Sequence, residues 1–216
     1  MSDYYLAFEE KYRGTRESIL SRFKAYDIFL DDIIFRFEDP KALDLGCGRG
    51  EWLELLSQKG IQAQGVDAES DMVSLCKSNG LDVIQDDLFH WLQNVEDQSI
   101  NILTAFHVIE HVPFDSLIDL LLEAKRVLKP GGLLILETPN PENISVATNG
   151  FYTDPTHLRP LPPQLLKFIA DYQEYKVSMI YRLDNFGSFE EEKLITLNDV
   201  INLSSPDYAL VAISET

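Results

Sequence analysis

The chain is short of basic residues. Its 216 residues include 18 Lys and Arg against 36 Asp and Glu, for a formal charge of -18. A field of that sign repels a phosphate backbone, so general nucleic-acid binding is excluded as an expectation. Cysteine is scarce too: Cys47 and Cys76 make neither a disulfide framework nor a zinc ribbon. No apolar run reaches membrane-spanning length. The opening stretch "MSDYYLAFEEKYRGTRE" is interrupted by charge throughout and holds no apolar signal core. Internal repeats and low-complexity tracts are absent as well. A cytoplasmic, reduced setting is the expectation.

What is present is alternation. Apolar positions at Ile19, Leu20, Phe23, Tyr26, Ile28, Phe29 and Ile33 suit an amphipathic helix within 14–37. Five short strands follow, at 41–46, 61–67, 81–87, 100–106 and 133–138, with helical patterns at 51–60, 70–80 and after Pro113. "KPGG" (129–132) is expected to end that last helix. A helix at 162–171 and two late strands, "YKVSMIYRL" and "YALVAIS", close the pattern. Such alternation predicts an α/β fold, a parallel sheet with helices on both faces. One domain is expected over 1–216: N-terminal helices at 1–40, then a core at 41–216 whose Pro-, Asn- and Thr-rich stretch 139–163 forms a structured lid.

The ligand signal sits where the first strand meets its helix: Asp44-Leu-Gly46-Cys-Gly48-Arg-Gly50. Glycines there permit a tight turn and close approach of a ligand to the backbone. A dinucleotide site would carry a third glycine where this chain has Glu51. Asp44 and Glu51 would repel a pyrophosphate and welcome an ammonium, which favours a cationic adenosine ligand. Asp67, ending the second strand, stands where an acid receives ribose hydroxyls.

"LDLGCGRGEWLELL", "GVDAESDMV", "VIQDDL", "TAFHVIEHVPF" and "LKPGGLLILETPNPEN" together resemble the successive motifs of class I S-adenosylmethionine-dependent methyltransferases, from about residue 41 to 171. The resemblance implies a Rossmann-like, seven-stranded, mostly parallel sheet with an antiparallel last strand. It implies S-adenosyl-L-methionine as cofactor: Gly46, Cys47 and Gly48 beneath its methionine part, Asp44 near its ammonium, and Asp67 on its ribose. Met72 would pack near the adenine, and Asp86, with Asp87 and Leu88 after it, would meet the adenine amino group. Asp86 or Asp87 could instead cap the next helix. The segment Ala105, Phe106, His107 would lie under the sulfonium. Arg13 is a candidate partner for the cofactor carboxylate, or a solvated arginine at a helix end.

His107, Glu110 and His111 spell H-x-x-E-H, the spacing of an inverted zinc-peptidase motif. That motif needs a long helix. Here a strand precedes His107, and Pro113 suits the first turn of a new helix, so no peptidase is expected. The segment is also similar to one in ubiquinone-pathway O-methyltransferases that is associated with a divalent metal. No metal site is expected, however, and activity is expected to survive chelation.

The acceptor is sought in "TPNPENISVATNGFYTDPTHLRPLPP", whose Phe151, Tyr152, Asn140, Asn143, Asp154, His157 and Arg159 suit a carbohydrate or a loop tied by its own Asx turns. With "FEEKYRG" (8–14), it resembles methyltransferases of O-antigen and polysaccharide assembly, which implies glycan O-methylation and glycosyltransferase partners. A small metabolite, a glycan phosphate or a protein as acceptor, and a non-catalytic regulatory module, stay open. For the base that takes a hydroxyl proton, His157 is expected first, beside Asp154, and His111 second, beside Glu110. His90 is expected to be structural.

Overall fold

The structure is a computed structural model that describes residue 11, residues 14–183 and residues 204–215. Seven strands form one sheet in the order β3-β2-β1-β4-β5-β7-β6. They are β1 (Lys41–Leu45), β2 (Gln62–Asp67), β3 (Val83–Gln85), β4 (Ile100–Phe106), β5 (Leu128–Pro139), β6 (Val177–Arg182) and β7 (Asp207–Ile213). The first five run parallel, while β7 enters antiparallel between β5 and β6. The strand order steps outward in opposite directions from β1 and β4. Their carboxyl ends therefore flank the crevice where ligands bind on open α/β sheets.

Both faces of the sheet are covered because its strands are apolar on both sides. Helices α1 (Arg16–Phe23), α2 (Asp27–Arg36) and α3 (Glu51–Gln58) cover one face, around Tyr26, Leu30, Trp52 and Phe106. Helices α5 (Leu88–Gln93), α6 (Phe114–Val127) and α8 (Pro163–Tyr172) cover the other, around Leu103, Leu121, Leu136 and Leu166. Between α3 and α5 in the chain lies α4 (Ser70–Ser78), packed through Val73 and Cys76 beside Cys47.

Two sequence expectations need correction. The helical pattern of 14–37 is divided by a 3-10 turn, Lys24–Tyr26, which carries Tyr26 fully inward. "KPGG" does not stop a helix: α6 ends at Val127 and "KPGG" lies inside β5, where the pairing with β4 shifts register. Gly131 there has φ +77°, and a Cβ on Gly132 would sit 2.8 Å from the Lys129 carbonyl oxygen. This is a bulge that only glycines fit. Among the described residues no helix is long and apolar enough to cross a membrane.

Candidate active site

On the cofactor side, the amides of Gly46 and Cys47 both donate to the Val66 carbonyl, tying the glycine loop to β2. Gly46 has φ +65°, and a Cβ there would lie 2.6 Å from Val108 Cγ2. Gly50, with φ +83°, begins α3 where a Cβ would strike Leu81. These turns admit only glycine without strain. Asp67 organises the loop: its Oδ2 accepts from Gly48 N at 2.8 Å and its Oδ1 from Glu69 N at 2.9 Å. Each oxygen keeps a second lone pair for a ligand hydroxyl.

Asp44 is buried at the end of β1 and accepts from Thr104 Oγ1 at 2.7 Å. Glu51 departs from expectation. Its buried carboxylate is met at 2.9 Å by Arg49 Nε, so its charge is neutralised within the loop. After β3 the two acids divide the roles open to them. Asp87 caps α5 through the amides of Phe89 and His90, while Asp86 meets His90 Nδ1 at 2.8 Å.

Cys47 is a packing residue. Met72 is buried in the first turn of α4, and Leu88 packs partly buried against the core of the far face. The Phe106 side chain is not in the crevice: it sits in an aromatic cluster, 4.7 Å from Phe23 and 4.9 Å from Trp52 between ring centroids. An apolar ring gains more there than beside a charged ligand. Arg13 lies outside the described residues.

On the acceptor side, His107 follows β4 in the left-handed backbone region, φ +56°. That turns its ring away from His111. Its Nδ1 is 3.3 Å from Glu110 Oε1, and its Nε2 is 3.2 Å from Glu137 Oε1 and 3.8 Å from Asp207 Oδ1. Burial opposes the charged ring, but Asp207, Glu110 and Glu137 outweigh it and raise its pKa to about 10. A ring already protonated at neutral pH cannot serve as the base. Arg22 bonds both Glu137 and Asp207 at 2.8 Å, and Tyr26 donates to Glu137 Oε2 at 2.6 Å. Arg22 and Asp207 also line a cavity of about 410 Å³ with Ser18, Ser21 and Ser205. Glu137, Asp207 and Arg22 went unnoticed in the sequence, and Tyr26 was read only as an apolar position of the N-terminal helix. The one available signal was a glutamate inside the apolar run "LLILET".

Glu110 and His111 lie in a 3-10 turn, Ile109–His111, with Glu110 fully buried. Glu110 Oε2 accepts from Thr138 Oγ1 at 3.0 Å, and the Glu110 carbonyl accepts from Leu158 N at 2.9 Å, which pins the lid. Burial opposes ionisation of Glu110, but His107 overrides it and lowers the carboxyl pKa. Burial lowers the pKa of His111, despite the opposing pull of Glu110.

The lid contains α7 (Ile144–Thr148) and a 3-10 turn, Gly150–Thr153. It carries His157 to a ring-centroid distance of 4.7 Å from His111. His157 Nδ1 is 2.6 Å from the Phe151 carbonyl, so this nitrogen carries the proton and Nε2 the lone pair. Nε2 lies 3.9 Å from both Glu110 Oε1 and Asp154 Oδ2. The lid amides serve the lid itself. Asn140 Oδ1 accepts from Glu142 N, Asn143 Oδ1 caps α7 at Val146 N, and both side chains donate to carbonyls of Ser205 and Ser204. Both are buried, as are Phe151 and Asp154, so the expected sugar-facing set reduces to the exposed Tyr152 and Arg159 and the half-buried His157. The physical reason is that an irregular buried segment must satisfy its own backbone groups first.

A family model described as "Methyltransferase domain" matches residues 15–175. A SAM-dependent methyltransferase from Archaeoglobus fulgidus is 32% identical, with a TM-score of 0.82, and the match covers 98% of this chain and all of that one. A ubiquinone biosynthesis O-methyltransferase of Xanthomonas oryzae is 34% identical over 46% of this chain and 43% of its own length. A demethylmenaquinone methyltransferase of Bacillus pumilus is 33% identical over 62% of this chain and 59% of its own. The chain thus spans about half the length of the curated relatives it matches. The glycine loop closed by Asp67 and the acids ending β1 and β2 fit a cationic nucleoside, and with these matches the chain belongs to the methyltransferase domain family, as an S-adenosylmethionine-dependent methyltransferase.

Proposed function

We propose that the chain transfers a methyl group from S-adenosylmethionine to a hydroxyl oxygen of a small-molecule acceptor, and that His157 takes the hydroxyl proton, with His111 second in line. The observation that carries the reading is the Nε2 lone pair of His157, fixed by the bond from Nδ1 to the Phe151 carbonyl. Oxygen as the methylated atom is supported by the name of the Xanthomonas relative, an O-methyltransferase of ubiquinone biosynthesis. The glycan reading loses its residue-level support because Asn140 and Asn143 are spent inside the lid.

On this reading Asp67 holds the ribose, Asp44 faces the ammonium, and Asp86 meets the adenine amino group in competition with His90. The bound cofactor supplies the electrophilic methyl. The protein supplies alignment and takes the proton as the new oxygen–carbon bond forms and the sulfur–carbon bond breaks.

The test offers S-adenosylmethionine with phenols, hydroxylated metabolites and oligosaccharides, and measures S-adenosylhomocysteine and methylated products by mass spectrometry. Methylation of a small hydroxyl compound is the expected result. Methylated oligosaccharide alone would restore the glycan reading, and cofactor binding without turnover on any acceptor would leave a regulatory module.

A further inference from the structure

Acids outnumber bases two to one in this chain, and the described arginines are spent on them. Arg16, Arg22, Arg36, Arg49, Arg126 and Arg182 each meet a carboxylate. Among the described arginines Arg159 alone meets none. Its guanidinium lies over the Phe114 ring instead, with Cζ 5.2 Å from the ring centroid. A guanidinium carries its N–H donors in its own plane. Resting one face on a ring holds the group in place and leaves donors free along its edge.

The position of this pair matters as much as its charge. Phe114 opens α6 three residues after His111, and Arg159 follows His157 by two. Between the two lid residues, Leu158 N donates to the Glu110 carbonyl at 2.9 Å, which fastens the lid to the turn carrying His111. The stacked arginine is thus tied at both ends to the elements that bring His111 and His157 together. The other cations of the acceptor side are already neutralised. Arg22 bonds Glu137 and Asp207, and the His107 ring lies between Glu110 and Glu137.

We propose that Arg159, seated on Phe114, binds a carboxylate of the acceptor, so that the acceptor is a hydroxylated carboxylic acid whose hydroxyl meets His157. The inference rests on the proposed function for transfer to a hydroxyl oxygen, and it names the class of compound that carries that oxygen. The planar fork of a guanidinium meets the two oxygens of a carboxylate side by side. A carboxylate brings one negative charge, which one guanidinium matches. A phosphate monoester brings about -1.5 to -2, and the excess would face a protein of formal charge -18. The carboxylate is held and not methylated; the hydroxyl oxygen takes the methyl group and gives its proton to His157.

The test offers S-adenosylmethionine with gallate and gallamide, mandelate and mandelamide, and glycerol phosphate, and follows methyl ethers by mass spectrometry. In a methylated pair the acid should have a KM roughly 10- to 100-fold below that of its amide, as expected for hydrogen bonds between charged groups. Arg159→Gln should erase this preference by raising KM for the acid rather than by lowering kcat. Arg159→Lys keeps the charge without the fork and should restore part of it. Phe114→Leu removes the ring that orients the guanidinium and should raise KM for the acid about two- to fivefold. A loosened lid would weaken acid and amide alike, so the ratio of the two separates recognition from folding. Equal KM for acid and amide, a preference for glycerol phosphate, or a preference that survives in Arg159→Gln overturns the inference. Methylation confined to neutral hydroxyl compounds also overturns it and leaves the proposed function standing. No methyl ether on any compound ends both.

Discussion

At the ends of β2 and β3 the charged groups find their partners nearby: Asp86 meets His90 four residues on, and Asp67 meets Gly48 19 residues back. At the ends of β4, β5 and β7 the partners come from far away. Tyr26 and Glu137 are 111 residues apart, Arg22 and Glu137 115, and Arg22 and Asp207 185. One half of the crevice is thus a loop-and-strand device, and the other is a knot assembled only when the sheet closes. A local device tolerates change elsewhere in the chain. A knot fixes its members jointly, so removing one member disturbs the rest.

The sharpest break between the halves is His157→Ala. Turnover at saturating cofactor should fall by about 10²–10⁴-fold, the usual contribution of a positioned proton acceptor. Cofactor affinity should stay unchanged, because none of the partners of His157 belongs to the glycine loop. Near-normal turnover in this variant with a dead His111→Ala would pass the role to His111.

The reverse break is Asp67→Ala. It removes the carboxylate that the ribose hydroxyls would meet and frees the Gly48 and Glu69 amides. Hydrogen bonds to a charged acceptor contribute about 1.5–3 kcal/mol, so S-adenosylmethionine should bind roughly 10- to 100-fold more weakly by calorimetry. Turnover at saturating cofactor should change little. Unaltered affinity would remove Asp67 from the ribose.

The same division explains what could be read from the sequence. The alternation of strands and helices and the glycine loop follow from period and glycine spacing, both local signals, while the antiparallel β7 was implied only by the resemblance to class I methyltransferases. Asp87 as a cap was legible for the same reason. His107 was not: its left-handed backbone aims the ring at Glu137 and Asp207, and nothing in "AFHVIEH" specifies those partners. Nor could the composition of the lid show that its amides face inward. Asn140 and Asn143 bond to Ser205 and Ser204, some sixty residues later in the chain.

Tyr26→Phe sharpens the comparison at its distant end. The variant deletes one 2.6 Å bond to the buried Glu137, which keeps Arg22 and His107. Because those two cations remain, the loss should lie near the lower end of the range for a charged acceptor, about 1.5 kcal/mol of unfolding free energy in urea. Cofactor affinity should not move. An unchanged midpoint would mean that Tyr26 is held by packing with Trp52 and Phe106 alone.

The smallest effect is expected for Asn143→Ser. Serine keeps an oxygen that can accept from Val146 N and so preserves the cap on α7. It loses the amide donor to the Ser204 carbonyl, a neutral hydrogen bond of 2.7 Å. A net cost of about 0.5–1.5 kcal/mol follows, read as a modest fall in the urea midpoint. If Asn143 serves only the lid, KM for the acceptor should stay within about twofold of wild type, because a residue 3% exposed offers a substrate almost no surface. A large rise in KM with unchanged stability would show that the amide meets the acceptor after all. Sugar recognition would then return to the segment from which the buried geometry has removed it.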